Sequence, residues 1–247
     1  METPLFSKRQ FNKFRKHLPV PGPRKRIDDR YVISGIIWVI KQGASWREVP
    51  EFYGNWTTIY SRFKRWSKRG IFQKIFKNYT SKLKKKCMAM IDSTFAKVHR
   101  SAASMASDKQ DRKMGRSRGG LTTKIHFLCN EMGQPLDCII TGGEVHDIKV
   151  APEFIKRNKM SCLLGDKAYG SKKFRELLAE RKIESCIPPK SNSKIKIEFD
   201  RNKYKKRHVI ENMFAKLKDW KGLALRTNRN AHSFLSFVHI AAFTLFF

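Results

Sequence analysis

The sequence predicts an α/β chain in two parts: a small all-α, helix-turn-helix-like domain, then a larger domain built on a mixed sheet. Three observations predict it. Up to the basic run KLKKK, residues 82–86, apolar residues recur at the helical spacing of three and four. Beyond that run, short apolar segments of strand length are separated by turns and helical stretches. The chain has 247 residues, 40% of them hydrophobic and 18 of them Phe, which suits two cored domains better than a disordered basic polymer.

Residues 1–26 end in PVPGPRKR and read as a basic N-terminal arm or linker. Residues 27–86 form the expected helical domain. In DDRYVISGIIWVIKQG an Asp cap signal precedes Tyr31, Ile33, Ile36, Ile37 and Ile40 at helical spacing, and Gly43 stops the run. SWREVP follows as a short capped turn closed by Pro50. In NWTTIYSRFKRWS, residues 55–67, Trp56, Ile59, Tyr60, Phe63 and Trp66 form one stripe, with Arg62, Lys64 and Arg65 around the rest of the surface. A helix-turn-helix follows from this pair, its second helix entering a DNA groove with those three cations near phosphates. The bland alternative is a solvated basic helix in an ordinary bundle.

Residues 87–247 form the second expected domain. Strand-like runs lie at CMAMIDST, LTTKIHFLCN, PLDCIITGG, CLLGDKAY and ESCIPP, with the turn NEMGQ between the second and third. Helical stretches lie at HDIKVAPEFIKR, KKFRELLAERK, YKKRHVIENMFAKLKDW and the C-terminus. Three strands, then alternating helices and strands, is the order of a ribonuclease-H-like mixed sheet. The apolar end AHSFLSFVHIAAFTLFF carries two His and two Ser and falls short of the roughly 20 residues that cross a bilayer, so it reads as a buried helix.

Charge narrows the partner. Lys and Arg number 53 against 21 acidic residues, a net charge of +32, and an anionic partner is needed to offset the self-repulsion. Nucleic acid fits best, because the charge is spread along the chain rather than gathered beside one apolar segment. Five cysteines at scattered positions, without CxxC spacing, favour a reduced cytosolic setting over a zinc or disulfide framework. The N-terminal segment lacks the apolar core of a secretion signal.

Two aspartates follow apolar strands, Asp92 in MIDST and Asp166 in LLGDKAY. A carboxylate at the end of a buried strand is costly unless a cleft, a cation or a metal receives it, although a lone Asp there more often caps a turn. On a helix starting near Tyr204, with each residue turned by about 100°, Tyr204, Arg207, Glu211 and Lys218 fall within a wedge of about 60° beside the apolar stripe. A carboxylate suited to metal, two cations suited to phosphate oxygens and an aromatic group in one row fit phosphodiester chemistry. An ordinary i,i+4 charge network would use the same residues.

The spacing Y-x2-R-x3-E-x6-K over Tyr204, Arg207, Glu211 and Lys218 resembles that of bacterial insertion-sequence transposases of the IS4/IS5 kind. GDKAYGS resembles the block around their second aspartate. The run from RSAASMAS to GGEVHD resembles the region after their first, and SGIIWVIKQGASWREVP their N-terminal domain. The resemblance spans nearly the whole chain. It implies a DDE active site in which Asp92, Asp166 and Glu211 bind two Mg²⁺ or Mn²⁺ ions, with Arg207 and Lys218 on phosphates and Tyr204 positioning the DNA end. It also implies double-stranded DNA partners, namely terminal inverted repeats and target DNA, a homodimer on DNA, and a bacterial cytoplasmic, nucleoid-associated location.

GRSRGG, residues 115–120, reads as a flexible basic loop able to clamp a DNA backbone through Arg116 and Arg118. Without GK[ST] it is no P-loop, and neither a nucleotide cofactor nor a membrane is expected. His146 and Asp147 read as caps of the following helix rather than as metal ligands, and His99 and His126 lack cysteine partners for zinc. Two other classes stay open: a non-catalytic DNA-binding descendant, and a ribonuclease-H-like nuclease acting on RNA or hybrids. The intact triad and tetrad count against the first, and the helical N-terminal domain against the second.

Overall fold

Small polar side chains open successive helices near the N-terminus, each accepting from an otherwise unpaired backbone N–H. Ser7 caps α1 (Lys8–Arg15), Asp28 caps α2 (Asp29–Gln42) and Asn55 caps α3 (Trp56–Lys68). Gly43 ends α2 at φ 65°, in the left-handed region where glycine carries no Cβ penalty. The computed structural model describes residues 5–20, 27–83, 87–103, 112–189 and 197–247. There follow α4 (Ile71–Leu83), β1 (Cys87–Val98), α5 (Arg100–Ala103), β2 (Gly115–Ser117), β3 (Gly120–Asn130), β4 (Pro135–Gly142), α6 (Asp147–Arg157) and β5 (Met160–Leu164). After them come α7 (Lys172–Glu180), β6 (Glu184–Cys186), α8 (Arg201–Lys205), α9 (His208–Lys218), α10 (Lys221–Ala224), β7 (Leu225–Arg226) and α11 (Ala231–Phe246).

The chain falls into two compact units. One comprises Met1–Tyr79, Val98–Met105 and Leu217–Phe247, the other Thr80–Lys97 and Ala106–Lys216. This differs from the sequence expectation, which kept residues 217–247 with the sheet. The reason is α11, which buries Phe234, Phe237, Val238, Ile240, Ala241 and Phe243 and therefore needs apolar neighbours on several sides. Helices supply them: the Phe237 ring lies 5.1 Å from Phe63, and the Phe243 ring 5.4 Å from Phe14 and 4.7 Å from Tyr79. The expected arm is likewise partly folded, because Phe6 and Phe14 are buried around α1, while residues 21–26 of its proline-rich end lie outside the described residues. Residues 43–55 between α2 and α3 hold two 3₁₀ turns: Trp46–Glu48, capped by Ser45 within the expected turn SWREVP, and then Glu51–Tyr53 after Pro50.

Arg62 corrects a second expectation. The residue is 4% exposed, and its guanidinium donates to the Asp29 carboxylate and to the Ile27 carbonyl, both at 2.7 Å. It is an internal ion pair, whereas Lys64 and Arg65 on the same helix are exposed.

His239 on α11 is buried with its ring 4.9 Å from that of Phe76, and burial pushes its pKa down to about 3. The unfolded chain therefore takes up this proton first. The contribution to stability is complete above the unfolded value near 6.5 and is lost as pH falls toward 3. Between pH 7 and pH 5 this unit is expected to lose about 2 kcal/mol through His239, and His239→Leu should flatten the slope. All five tryptophans lie in this unit, so urea denaturation followed by tryptophan fluorescence measures it directly. An unchanged slope in the variant refutes the assignment.

In the other unit β1 pairs antiparallel with β3, and β3 antiparallel with β4 and β2; β1 pairs parallel with β5, and β5 parallel with β6. The order β4–β3–β1–β5–β6, an antiparallel meander continued by parallel strands, is the predicted ribonuclease-H-like arrangement. On one face Ile91, Leu128 and Leu163 pack with Val150, Phe154, Phe174 and Leu178 from α6 and α7. Strand alternation turns Phe127 to the other face, where its ring meets Phe214 of α9 at 6.0 Å. GRSRGG is a β-hairpin rather than a loose loop: Gly115 to Ser117 pair with Thr122 to Gly120, and Gly120 takes φ 93°.

Candidate active site

Asp92 lies within β1, not at its end, because the strand continues through pairing with β3 to Lys97↔Thr122. What stops short of Asp92 is the parallel partner, since the β1–β5 register runs only to Met90↔Leu164. Asp166 follows the last residue of β5 by two positions and caps the 3₁₀ turn Lys167–Tyr169, its Oδ1 accepting from Ala168 N at 2.9 Å. Both aspartates are half-buried. Burial pushes the Asp92 carboxyl up, the Ser93 N–H and Arg207 pull it down, and the Asp166 charge adds to the rise. The two carboxylates thus act on one another at the C-terminal end of β5, a position where open α/β sheets bind ligands.

Arg207 joins Asp92 to Glu211. Its Nη1 donates to Asp92 Oδ2 at 2.9 Å and its Nη2 to Glu211 Oε1. Burial works against its charge, yet Asp92, Glu211, Tyr204 and Asp166 together hold its pKa above the ordinary arginine value. Among the described residues no three Asp, Glu, His or Cys side chains are gathered closely enough to hold an ion in this arrangement. The donor chemistry fits one nonetheless: hard carboxylate oxygens suit Mg²⁺ or Mn²⁺, and a guanidinium already stands as the cation between two of them.

The single helix expected from Tyr204 is broken. α8 ends at Lys205, α9 starts at His208, and the joint is tightened by i→i+3 bonds from Arg207 N to Tyr204 O and from Ile210 N to Arg207 O. Arg207 sits in that turn, from which it reaches both carboxylates. Tyr204 instead packs edge-on against Phe199 at 5.5 Å. Lys218 is the exposed last residue of α9 and belongs to the first unit, as do Arg62, Lys64 and Arg65, whereas Asp92, Asp166, Tyr204, Arg207 and Glu211 share the second. Arg116 and Arg118 are exposed on the β2–β3 hairpin of that second unit.

Sequence reasoning gave His146 and Asp147 one role, capping α6, and the structure separates them. His146 is the N-cap residue of α6 but makes no side-chain capping bond. Asp147 turns its carboxylate inward, accepting from Ser93 Oγ at 2.8 Å and from Lys124 Nζ at 3.1 Å, with His126 Nδ1 at 3.5 Å. The signal was present in LTTKIHF: Lys124 and His126 alternate onto the face that carries Leu128, so two polar groups were bound for the core and required an acidic partner.

The comparisons with known proteins agree along the chain. Residues 6–76 match a family described as a putative transposase of the IS4/5 family, and residues 83–246 match the transposase DDE domain. A protein described as a putative transposase for insertion sequence element IS6501, from Brucella ovis, is 31% identical over 123 residues, covering 49% of this chain and 95% of the relative. An uncharacterized protein, y4sN, from Sinorhizobium fredii is 29% identical over 89 residues, covering 34% of this chain and 70% of the relative. Among solved structures, a pre-cleavage Mos1 transpososome aligns over 88% of this chain and 85% of its own, at 11% identity and a TM-score of 0.26. The Mos1 Strand Transfer Complex covers 88% and 84%, at 10% identity and a TM-score of 0.29. Scores this low leave the fold to be argued from the strand order above.

Proposed function

Because the chain belongs to the DDE transposases of the IS4/IS5 type, we propose that it binds the terminal inverted repeats of an insertion sequence. It hydrolyses phosphodiester bonds at the element's ends and joins the freed 3′-OH groups to target DNA. The observation that carries this reading is the Arg207 guanidinium that bridges Asp92 and Glu211, with Asp166 just beyond β5, the strand paired beside the one that bears Asp92.

In this reading the three carboxylates hold two Mg²⁺ or Mn²⁺ ions. When bound, such ions supply activation of the attacking oxygen and stabilisation of the leaving one. The protein's own groups do the rest. Arg207 leaves Asp92 and Glu211 and pairs with phosphate oxygens, so its charge serves the substrate once the carboxylates are otherwise balanced. Tyr204 positions the DNA end. Lys218, Arg116 and Arg118 neutralise backbone phosphates, as do Lys64 and Arg65 on α3, while Arg62 serves the fold. A homodimer pairs the two ends of the element, in the bacterial cytoplasm at the nucleoid.

The direct test is binding and Mg²⁺-dependent nicking of end-labelled duplexes carrying the element's terminal repeats. Binding is expected to weaken steeply with salt, because each neutralised phosphate releases counterions, and Lys64→Ala or Arg65→Ala should each lower the salt slope by about one. Equal binding to scrambled duplexes without any nicking refutes the proposal. Cleavage of RNA–DNA hybrids in preference to the repeats moves the chain to the nuclease class.

A further inference from the structure

Asp92 is followed along β1 by a residue that turns to the opposite face of the sheet and meets a second acid there. Ser93, one position after Asp92, donates its hydroxyl to Asp147 Oδ1 at 2.8 Å, and its backbone N–H donates to Asp92 Oδ1 at 2.8 Å. Tyr169, three positions after Asp166, is 1% exposed in the core beside α6 and α7. Its phenol O–H has no hydrogen-bond partner among the described residues. Burial raises its pKa far above the ordinary value, and among the charges that add to the rise Asp147 acts most strongly, ahead of Asp92 and Asp166. The Asp147 carboxylate is itself fixed. Lys124, 6% exposed, spans Asp147 at 3.1 Å and the Val145 carbonyl at 2.7 Å, and His126, 1% exposed, is held against Thr141 Oγ1 at 2.9 Å. Burial keeps His126 neutral, its pKa pushed down to about 4, so the ion pair is Asp147 with Lys124.

We infer that Asp147 is a positioning residue for the metal-binding carboxylate of Asp92, acting through Ser93. This inference rests on the proposed metal site. The physical argument is one of rigidity. A bare strand edge lets a carboxylate wander, whereas a strand tied through Ser93 to the Asp147–Lys124 ion pair has fewer arrangements open to it, since freeing Ser93 gives up its hydrogen bond to a charged partner. Partners behind metal ligands typically set metal affinity by a factor of about 10–100. An ion pair that served only to anchor α6 would have no need of Ser93.

The test compares Mn²⁺ binding to the full-length protein, read from the free-Mn²⁺ electron paramagnetic resonance signal, with nicking of terminal-repeat DNA at varied Mn²⁺. Ser93→Ala, Tyr169→Phe and Asp147→Asn are measured alongside Asp92→Ala. Ser93→Ala and Asp147→Asn are expected to weaken Mn²⁺ binding about tenfold and to raise the Mn²⁺ needed for half-maximal nicking equally, with the rate at saturating Mn²⁺ far less changed. Ser93→Thr, which keeps the hydroxyl, should restore binding. Tyr169→Phe, which removes a hydroxyl that makes no hydrogen bond among the described residues, should leave Mn²⁺ binding unchanged. If Ser93→Ala binds Mn²⁺ as the wild type does, the inference falls, whatever Asp147→Asn does to folding. If the wild type binds Mn²⁺ no better than Asp92→Ala, the metal site itself is wrong.

Discussion

Asp166→Asn protein is expected to keep its stability and its affinity for terminal-repeat DNA while losing Mg²⁺-dependent nicking by on the order of 10³-fold or more. The choice of asparagine matters because Asp166 has two jobs. It caps the turn Lys167–Tyr169 through Ala168 N, and in the proposed reaction it holds metal. Asparagine caps about as well as aspartate, so the fold is spared, whereas Asp166→Ala also loses roughly 1 kcal/mol of capping. The pair of variants separates the roles: both should fail to nick, and only the alanine should melt earlier. A nicking-competent Asp166→Asn protein reduces Asp166 to a turn cap and removes the triad.

Arg207→Gln is expected to bind Mn²⁺ about tenfold more tightly than the wild type without DNA, because a guanidinium no longer competes for Asp92 and Glu211. The gain is kept this modest because Glu211 is about half exposed and its ion pair is screened by solvent. With terminal-repeat DNA bound the difference should shrink, since phosphate oxygens draw the wild-type guanidinium away. Nicking at saturating Mn²⁺ should fall, because the variant has lost its phosphate contact. Arg207→Lys, with a single point charge in place of a two-pronged fork, should lie between. Titration of Mn²⁺ with and without duplex measures all of this; identical metal affinity in wild type and Arg207→Gln refutes the competition.

The locations of Asp92, Asp166, Glu211 and Arg207 were legible because spacing and strand texture survive in one dimension. The order of strands was legible for the same reason. Their roles in the structure were not. A helical wheel assumes one uninterrupted helix, and the break at residues 206–207 takes Arg207 out of the row and into a turn that reaches two carboxylates. Arg62 looked like its neighbours Lys64 and Arg65, since nothing in NWTTIYSRFKRWS says that Asp29 waits for it. α1 and α4 went unnamed although Ile71, Phe72, Ile75, Phe76 and Tyr79 stand at helical spacing, all of them buried.

What the amino-acid order determined by itself is therefore local: periodicity, caps such as Asp28 and Asn55, the Gly43 stop, the alternation of each strand and the residue types of an acid-and-cation site. These depend on neighbours a few residues apart, which sequence holds. Tertiary structure decided the long-range pairings: α11 with the N-terminal helices, Arg62 with Asp29, Arg207 with Asp92, and Asp147 with Ser93, Lys124 and His126. A buried charge or an all-round apolar helix states only that it must be satisfied. Which partner satisfies it depends on distances in space, and those exist only once the chain has folded.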